Sequence, residues 1–445
     1  MLRHSFALLF PIMLFWGCQP QESPQAPTKK VTIQEVEAGI RANIDQQTKD
    51  GAGYFHFEND SLQLELKLVR VHTEYLSVLS PTEFFACVDL ATADGDVYDF
   101  DFFMKGTADE MEVTGTTLHK LNGKPYYTWK QNKEDKTWFT VPVKNANSNL
   151  LGVIEDLDQF AFTYEVTLPD LVAPAQLWLP LASTDEWQNV TITSLWAPGT
   201  QKIISDPDYG NQILWLSLQP SDGNKTITVN YEVSRTEKST YPEAETDLTR
   251  YLAAEPYLPI GGRFKAIADS VIRQRAATSP LMQARALYDY IIDNMRYAKQ
   301  GTYGTGDANY ACDAKSGNCT EFHSFYISLA RSAGIPARFA VGAAIPSERN
   351  EGGVNGYHCW AEFYAEGQWW PIDISEANKY TPLATYYFGH HPANRLEMSR
   401  GRNLLPDPAP ANGAINFFAY PILEVDGVRT DVKTTFTFER NTPAS

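Results

Sequence analysis

Three residues between positions 317 and 373 have the types and the order of a thiol acyl-transfer site. Cys319 precedes an apolar helical pattern, His358 lies in an alternating segment, and Asp373 ends the next alternating segment. A thiolate is a strong nucleophile, an imidazole exchanges protons with it, and a carboxylate orients the imidazole. The three residues therefore predict attack on a carbonyl carbon through an acyl-enzyme intermediate.

The sequence around Cys319 predicts that this thiol stands at the start of a helix. Asn318 is a suitable N-cap, and Glu321 three residues later completes a capping box. Gly334 and Pro336 end the helical pattern. The unpaired N–H groups and the dipole of a first helical turn favour a thiolate, so we interpret Cys319 as a nucleophile rather than a buried apolar cysteine.

A predicted hairpin brings the histidine and the aspartate together. Residues 356–364 and 368–372 alternate, and a Glu-Gly pair between them suits a two-residue turn. Pairing outward from that turn places Trp360 opposite Asp373. Because side chains on a strand alternate between faces, His358 then shares a face with Asp373. A slip of one residue would separate them, so the prediction depends on this turn.

Several neighbours have alternative interpretations. His323 lies four residues after Cys319 on the same helix face and is a rival base, although we favour a supporting role. Trp360 and Trp370 are candidates for lining a substrate-binding cleft, although packing in the core is the default interpretation for such aromatic residues.

The remaining cysteines do not form a recognisable framework. Cys87 lies in an apolar strand and is predicted to be a buried small side chain. Cys312 and Cys359 would form a disulfide in one alternative. A second alternative is a zinc site whose ligands would be Cys312, Cys319, His323, His358 and Cys359. Their spacings match no common zinc pattern, so we predict neither a metal nor a cofactor.

The segments GNCTEFHSFYISLARSAGIPARFAVG and GYHCWAEFYAEGQWWPIDISEA resemble the core of the transglutaminase-like superfamily of papain-type thiol enzymes. That family has a cysteine opening a helix that leads to Gly-Ile-Pro-Ala-Arg, a His-x-Trp-x-Glu strand and a Trp-x-x-x-Asp strand. The resemblance covers about residues 263–373. It implies that Cys319, His358 and Asp373 are catalytic, and it carries over neither an oxyanion donor side chain nor the calcium sites of animal transglutaminases.

The resemblance implies a papain-like α+β catalytic domain that acts on a peptide or protein substrate. Family members resolve the acyl-enzyme with water, as proteases and amidases, or with an amine, as transglutaminases. We favour hydrolysis slightly. The alternative is a non-catalytic binding or scaffold protein of the cell envelope that uses the cleft for recognition. An enzyme acting on peptidoglycan stem peptides is a third possibility.

The first 30 residues predict export and membrane attachment. A short polar start is followed by an apolar stretch, residues 6–16, that is too short to span a bilayer. Gly17-Cys18 then resembles a bacterial lipobox, so Cys18 is predicted to carry the lipid. Residues 19–30 suit a tether. The predicted location is the bacterial cell envelope, lipid-anchored and facing the periplasm or the exterior, with a plain cleaved signal peptide as the alternative.

The rest of the chain predicts an α+β multidomain protein. Residues 31–146 should form an N-terminal helix plus an antiparallel sheet, residues 150–240 an immunoglobulin-like β-sandwich, and residues 241–445 the catalytic domain. Four acids lie close together in the predicted sheet and could suggest calcium binding: Asp94, Asp96, Asp99 and Asp101. They lack the downstream glutamate of an EF-hand, so we interpret them as the exposed face of a strand.

Composition agrees with a folded protein that does not bind nucleic acid. The chain has 445 residues, of which 43% are hydrophobic, and a formal net charge of -17. Affinity for nucleic acid depends on lysine and arginine neutralising phosphates, which this charge disfavours. The partners implied by the resemblance and by the lipobox are a peptide or protein substrate and, through the lipid, a membrane.

Overall fold

The computed structural model describes residues 31–59, 61–80, 82–107, 110–131, 138–142, 152–242, 247–299, 301–378 and 381–440. Cys18 and the apolar stretch before it lie outside these residues, so lipidation stays a prediction. Within the described ranges, every helix is too short or too polar to cross a membrane.

The N-terminal region is one helix on a six-stranded antiparallel sheet. Helix α1 (Ile33–Asp50) begins at Thr32, whose side chain accepts from the N–H of Glu35 while the Glu35 carboxylate accepts from the N–H of Thr32. The buried face of α1 packs on the sheet through Val36, Ile40 and Ile44. The sheet consists of β1 (Phe55–Glu58), β2 (Gln63–Ser80), β3 (Glu83–Ala91), β4 (Val97–Gly106), β5 (Met111–Leu121) and β6 (Lys124–Pro125), and a hairpin follows, β7 (Tyr127–Gln131) and β8 (Trp138–Pro142).

The sheet face opposite α1 is polar but buried. Asp99 is 4% exposed and Asp101 is 0% exposed, so the expectation of an exposed acidic face is wrong for these two residues. Cys87 is buried, as predicted, but its sulfur lies 3.5 Å from an oxygen of Asp101 rather than among apolar groups.

Two five-stranded antiparallel sheets with a shared apolar core occupy the middle of the molecule. Residues 157–236 supply most of their strands. These are β9 (Leu157–Thr167), β10 (Ala175–Leu181), β11 (Gln188–Trp196), β12 (Thr200–Ser205), β13 (Gln212–Leu218) and β14 (Thr226–Thr236).

The other strands of these two sheets come from much later in the chain. Strand β25 pairs along β9, from Lys433 opposite Thr167 to Arg440 opposite Phe160. The predicted catalytic segment, residues 241–445, therefore contributes strands to the neighbouring sheets. These late strands are β19 (Glu351–Gly353), β23 (Ile422–Val425), β24 (Val428–Thr430) and β25 (Lys433–Arg440).

The helices between residues 262 and 377 surround one buried helix. Every residue of α5 (Cys319–Ser332) is buried, because other helices cover one side and a sheet covers the other. A helix buried all round presents no solvent face, and its N-terminus lies inside the protein. The surrounding helices are α2 (Gly262–Gln274), α3 (Pro280–Asn294), α4 (Ala308–Ala314) and α6 (Ile374–Ala377), and a further short helix is α7 (Thr381–Tyr386).

The sheet beside α5 contains the predicted hairpin. Ala365 pairs with Gln368 and Ala361 with Ile372, so the predicted register is confirmed. Both turn residues have positive φ, 55° at Glu366 and 83° at Gly367, as a tight turn between twisted strands requires. The sheet order is β15 (Tyr241–Pro242), β21 (Gln368–Ile372), β20 (His358–Ala365), β18 (Ala337–Ala344) and β22 (Arg395–Arg400). A separate parallel pair joins β16 (Arg296–Tyr297) to β17 (Ser316–Gly317).

Candidate active site

Cys319 is the first residue of α5, and the predicted capping box is present. The side chain of Asn318 accepts a 2.9 Å hydrogen bond from the N–H of Thr320, and Glu321 accepts a 3.0 Å bond from the N–H of Asn318. Cys319 is almost fully buried, at 2% exposure. The cap thus fixes the backbone on both sides of the thiol.

Glu321 also ties the preceding loop to this helix start. Its second oxygen accepts from the N–H groups of Gly304 and Gly306, each at 2.8 Å. Gly317 must be glycine, since its φ is 157° and a Cβ there would lie 2.4 Å from the side chain of Glu321. One carboxylate therefore positions both the loop and the cysteine.

His358 and Asp373 meet across the hairpin as the register predicts. Nε2 of His358 donates a 2.6 Å hydrogen bond to Asp373, which is fully buried. Three further donors hold the same carboxylate: the hydroxyl of Ser375 at 3.0 Å, the N–H of Glu376 at 3.1 Å and the guanidinium of Arg395 at 3.1 Å. Burial opposes ionisation, but the charge and hydrogen bond of His358 outweigh it and hold the pKa of Asp373 well below its usual range.

The cysteine and the histidine form a polarised pair. Cys319 and His358 line the same cleft, and Cys359 follows His358 on β20. Burial disfavours the thiolate, but interactions with Cys359 and with the charged His358 lower the pKa of Cys319 to about 6. Burial likewise disfavours the imidazolium, but Asp373 raises the pKa of His358 to about 10. At neutral pH the favoured state is a thiolate beside an imidazolium, which can attack a carbonyl carbon and then return a proton.

The comparison with protein families identifies this region. A model described as the transglutaminase-like superfamily matches residues 265–374, which include Cys319, His358 and Asp373. This part of the chain is transglutaminase-like. The matched segment runs from α2 to the start of α6, so the transglutaminase-like segment contains the buried helix and the hairpin.

The chain is also similar to individual proteins. An uncharacterised protein of Haemophilus influenzae is 25% identical over 335 residues, covering 64% of this chain and 90% of that protein. A candidate cysteine protease from Cytophaga hutchinsonii has a solved structure with 17% identity and a TM-score of 0.44, covering 63% of this chain and 91% of that one. The periplasmic domain of TgpA from Pseudomonas aeruginosa has 19% identity and a TM-score of 0.26, covering 51% and 90%.

A cleft of about 490 Å³ opens onto the transglutaminase-like site. Both Cys319 and His358 line it. Its walls carry four tyrosines together with charged side chains that include Lys299, Glu348 and Glu376. The tyrosines are Tyr297, Tyr303, Tyr357 and Tyr420.

The two tryptophans considered for lining this cleft lie in the core instead. Trp360 is 0% and Trp370 is 1% exposed. The ring of Trp370 stacks on Phe363, and its indole N–H donates to the carbonyl of Ala365 at 3.0 Å. Rings so deeply packed cannot contact a substrate, so the substrate-binding role considered for them is replaced by packing beneath the site.

The neighbouring cysteines are free thiols. Cys312 and Cys359 do not form the disulfide considered from the sequence. Cys359 lies beside the nucleophile, with its sulfur 3.7 Å from Nδ1 of His323. Among the described residues, the groups close enough to share a metal ion lie in the N-terminal sheet rather than around Cys319. The zinc alternative at this site therefore has no geometric support.

Two residues of the site carry no local sequence signal. Arg395 both lines the cleft and contacts Asp373, but it lies on β22, far along the chain. Tyr297 pairs with Gly317 through β16 and β17, which places its ring beside the start of α5. Their roles follow from pairings between distant segments, which no motif in the sequence marks.

Proposed function

We propose that this chain is an exported thiol enzyme that attacks peptide or carboxamide carbonyls through Cys319, His358 and Asp373. The observation that carries the proposal is the geometry: Cys319 opens a buried helix and lines the same cleft as His358, which donates a 2.6 Å hydrogen bond to Asp373. The lowered pKa of Cys319 agrees with it. A structural cysteine in a core has its pKa raised by burial, as Cys359 does here. The opposite shift at Cys319 supports a nucleophile.

The reaction has two halves. The thiolate of Cys319 adds to the carbonyl carbon, and the imidazolium of His358 protonates the departing amine as the C–N bond breaks. This leaves a thioester on Cys319. Neutral His358 then removes a proton from water or from an amine, which attacks the thioester and releases the thiol. Asp373 holds the ring and stabilises its charge throughout.

Stabilisation of the oxyanion is assigned to two donors. The backbone N–H of Cys319 belongs to the first turn of α5, where N–H groups have no partner within the helix. The second donor is the hydroxyl of Tyr297, which lines the same cleft. Burial and the neighbouring Cys319 thiolate raise the pKa of Tyr297, so its hydroxyl keeps the proton that it would donate.

The cleft suits an extended peptide segment of a protein substrate. Tyr297, Tyr303 and Tyr420 are 44%, 38% and 38% exposed, so their rings and hydroxyls are available to a ligand. Exposed tyrosines combine apolar contact area with a hydrogen-bonding group, which suits the mixed character of peptides. We place this activity in the bacterial cell envelope, with the chain anchored through Cys18.

Pre-steady-state burst kinetics test the proposal. The wild-type chain, mixed with an excess of a chromogenic peptide amide, should release a burst of amine equal to one per active site. Cys319→Ala should abolish the burst, whereas Cys312→Ala, which also removes a buried thiol, should keep it. Adding a primary amine separates the two acceptors, because an amide product forms only if the amine resolves the thioester.

Two outcomes would contradict the proposal. An equal burst in wild type and Cys319→Ala would overturn the assignment of the nucleophile. A Cys319 thiol that does not react with iodoacetamide at pH 6 would contradict the thiolate and favour a non-catalytic recognition cleft.

A further inference from the structure

The N-terminal sheet carries a buried set of metal-ligating side chains far from the thiol site in sequence. Cys87 on β3, Asp99 and Asp101 on β4, and His119 on β5 project from the face opposite α1. Their ligand atoms all lie within 4.8 Å of one another. A thiol, an imidazole and two carboxylates are the ligand types that zinc takes in proteins.

Strand pairing explains how these four side chains meet. Cys87 lies directly opposite Asp101 across β3 and β4. On the next strand, Asp99 pairs with Lys120 but Phe100 pairs with Leu118, so His119 is the extra residue of a β-bulge. A bulge turns a side chain away from regular alternation. Here it directs the imidazole toward both aspartates.

In each of these four side chains, one atom faces the other three residues, and these inner atoms have spacings close to those of a coordination shell. They are Sγ of Cys87, Oδ1 of Asp99, Oδ1 of Asp101 and Nδ1 of His119. Oδ1 of Asp101 lies 3.5 Å from the sulfur of Cys87 and 3.3 Å from Nδ1 of His119. The same ring nitrogen lies 3.5 Å from Oδ1 of Asp99. Ligands that are about 2.0–2.3 Å from a tetrahedral zinc ion stand roughly 3.3–3.8 Å from one another. The three distances given above fall in this range, and all four ligand atoms lie within 4.8 Å of one another.

The second polar atom of each aspartate and of the histidine, which faces away from this centre, is held by another group. Lys120 donates to Oδ2 of Asp99 at 3.0 Å, and the hydroxyl of Tyr127 donates to Oδ2 of Asp101 at 2.6 Å. Nε2 of His119 lies 3.1 Å from the backbone carbonyl of Tyr127 and donates to it. Such outer hydrogen bonds orient the ligands and leave one atom of each for the metal.

The inner atoms themselves are left in need of a cation. Oδ1 of Asp99 and Nδ1 of His119 are buried and, among the described residues, have no hydrogen-bond partner. Asp99 is 4% exposed, so water does not replace the missing partner freely. In neutral His119 with its proton on Nε2, the Nδ1 lone pair faces carboxylate oxygens, and this unfavourable arrangement is relieved by either a second proton or a metal ion.

We propose that Cys87, Asp99, Asp101 and His119 bind one zinc ion. Binding converts the Cys87 thiol to a thiolate, and the released proton goes to solvent. Two carboxylates and a thiolate then exceed the charge of the ion by one, which Lys120 offsets from its position on Asp99. The ion links β3, β4 and β5, so its role is to hold the N-terminal sheet rather than to take part in thiol chemistry.

Cobalt substitution tests the site on the full chain. Metal is removed with a chelator, Co²⁺ is titrated in, and the near-ultraviolet thiolate-to-cobalt band is followed. We expect one Co²⁺ per chain, displaced by one equivalent of Zn²⁺. Cys87→Ser should abolish the band. Cys319→Ala and Cys312→Ser should keep it, since they leave the four ligands intact.

A second variant guards against misfolding. Asp99→Asn keeps the shape of the ligand but loses its charge, and it should weaken Co²⁺ binding at least tenfold while the far-ultraviolet circular dichroism stays that of the wild type. The proposal is overturned if the wild-type chain binds no Co²⁺, which would mean that a proton on His119 occupies the centre instead. It is equally overturned if the band disappears in Cys319→Ala and persists in Cys87→Ser.

Discussion

The backbone N–H of Ile374 donates a 3.0 Å hydrogen bond to Nε2 of His323. A ring nitrogen that accepts carries no proton, so the proton of His323 is on Nδ1, which donates to the carbonyl of Cys319 at 2.7 Å. Burial lowers the pKa of His323 to about 4, despite the opposing charge of Asp373. His323 is thus a neutral link between the starts of α5 and α6, and its ring is not free to take a proton from Cys319.

Replacing His323 should therefore affect stability rather than titration. His323→Ala leaves the buried N–H of Ile374 without an acceptor, which should cost about 1–3 kcal/mol in free energy of unfolding. The pH midpoint for alkylation of Cys319 should stay near that of the wild type. Urea unfolding and iodoacetamide kinetics measure the two quantities. A large upward shift of the midpoint in a folded variant would restore His323 as the base.

The pH dependence of activity should follow the thiolate–imidazolium pair. The pKa of Cys319 is lowered from 9.0 to about 6, so the nucleophile is lost as pH falls through 6. The pKa of His358 is raised from 6.5 to about 10, so the proton for the leaving group is lost as pH rises through 10. The kcat/KM profile should be flat between these limits, with both limbs belonging to the coupled pair. A single rise near pH 9 would contradict the pairing.

Asp373→Asn should change the alkaline limb of the kcat/KM profile and lower kcat. The amide keeps the shape but removes the charge that raises the pKa of His358, so the alkaline limb should move to lower pH. We expect kcat to fall on the order of 10³–10⁴-fold, because the imidazole is no longer held in the required tautomer. Asp313→Asn, at an exposed acid, is the matched control and should leave both limbs unchanged. Equal profiles for the two variants would remove Asp373 from the mechanism.

Cys359 should tune the nucleophile without replacing it. Its interaction with Cys319 helps to lower the pKa of that thiol. Cys359→Ala should therefore raise the alkylation midpoint of Cys319, and Cys359→Ser, which keeps a donor, should raise it less. Stopped-flow alkylation across pH measures both. The account fails if the alanine variant titrates like the wild type.

A buried ionic network joins the N-terminal sheet to helix α3. Arg285 contacts Asp89 on β3 and Asp289 on its own helix, each at 2.9 Å, and Asp289 also contacts Arg70 on β2 at 2.6 Å. Arg285→Met would remove the cation that contacts both carboxylates, leaving Asp289 with Arg70 and Asp89 with His72. This loss should cost about 3–5 kcal/mol in free energy of unfolding.

An exposed pair provides the control for Arg285. Arg263 contacts Asp313, and their side chains are 40% and 69% exposed. Arg263→Met should cost only about 0–1 kcal/mol, since solvent screens that pair. Chemical unfolding of both variants gives the comparison. Similar losses would mean that the buried network does not hold the two regions together.

The parts of the site that depend on local sequence could be predicted. The Asn318 cap and the Glu-Gly turn each act over a few residues, so the helix start and the hairpin register followed from them. Cys319, His358 and Asp373 could be nominated for the same reason.

The parts that depend on distant pairing could not be predicted. Arg395 reaches Asp373 only because β22 pairs with β18, and Tyr297 reaches the cleft only through its pairing with Gly317. The burial of Trp360 and Trp370 depends on which layers cover the sheet. His119 faces the acids because of a bulge, and a bulge breaks the alternation from which a strand face is read.

The pairing of β25 with β9 has a consequence for how the chain acquires its structure. Phe438 lies opposite Phe162, so the central sheets wait for residues that are synthesised much later than β9. Contacts between such remote segments form slowly, because a long loop must close before they contribute. During synthesis the middle region would thus stay incomplete until β25 has left the ribosome.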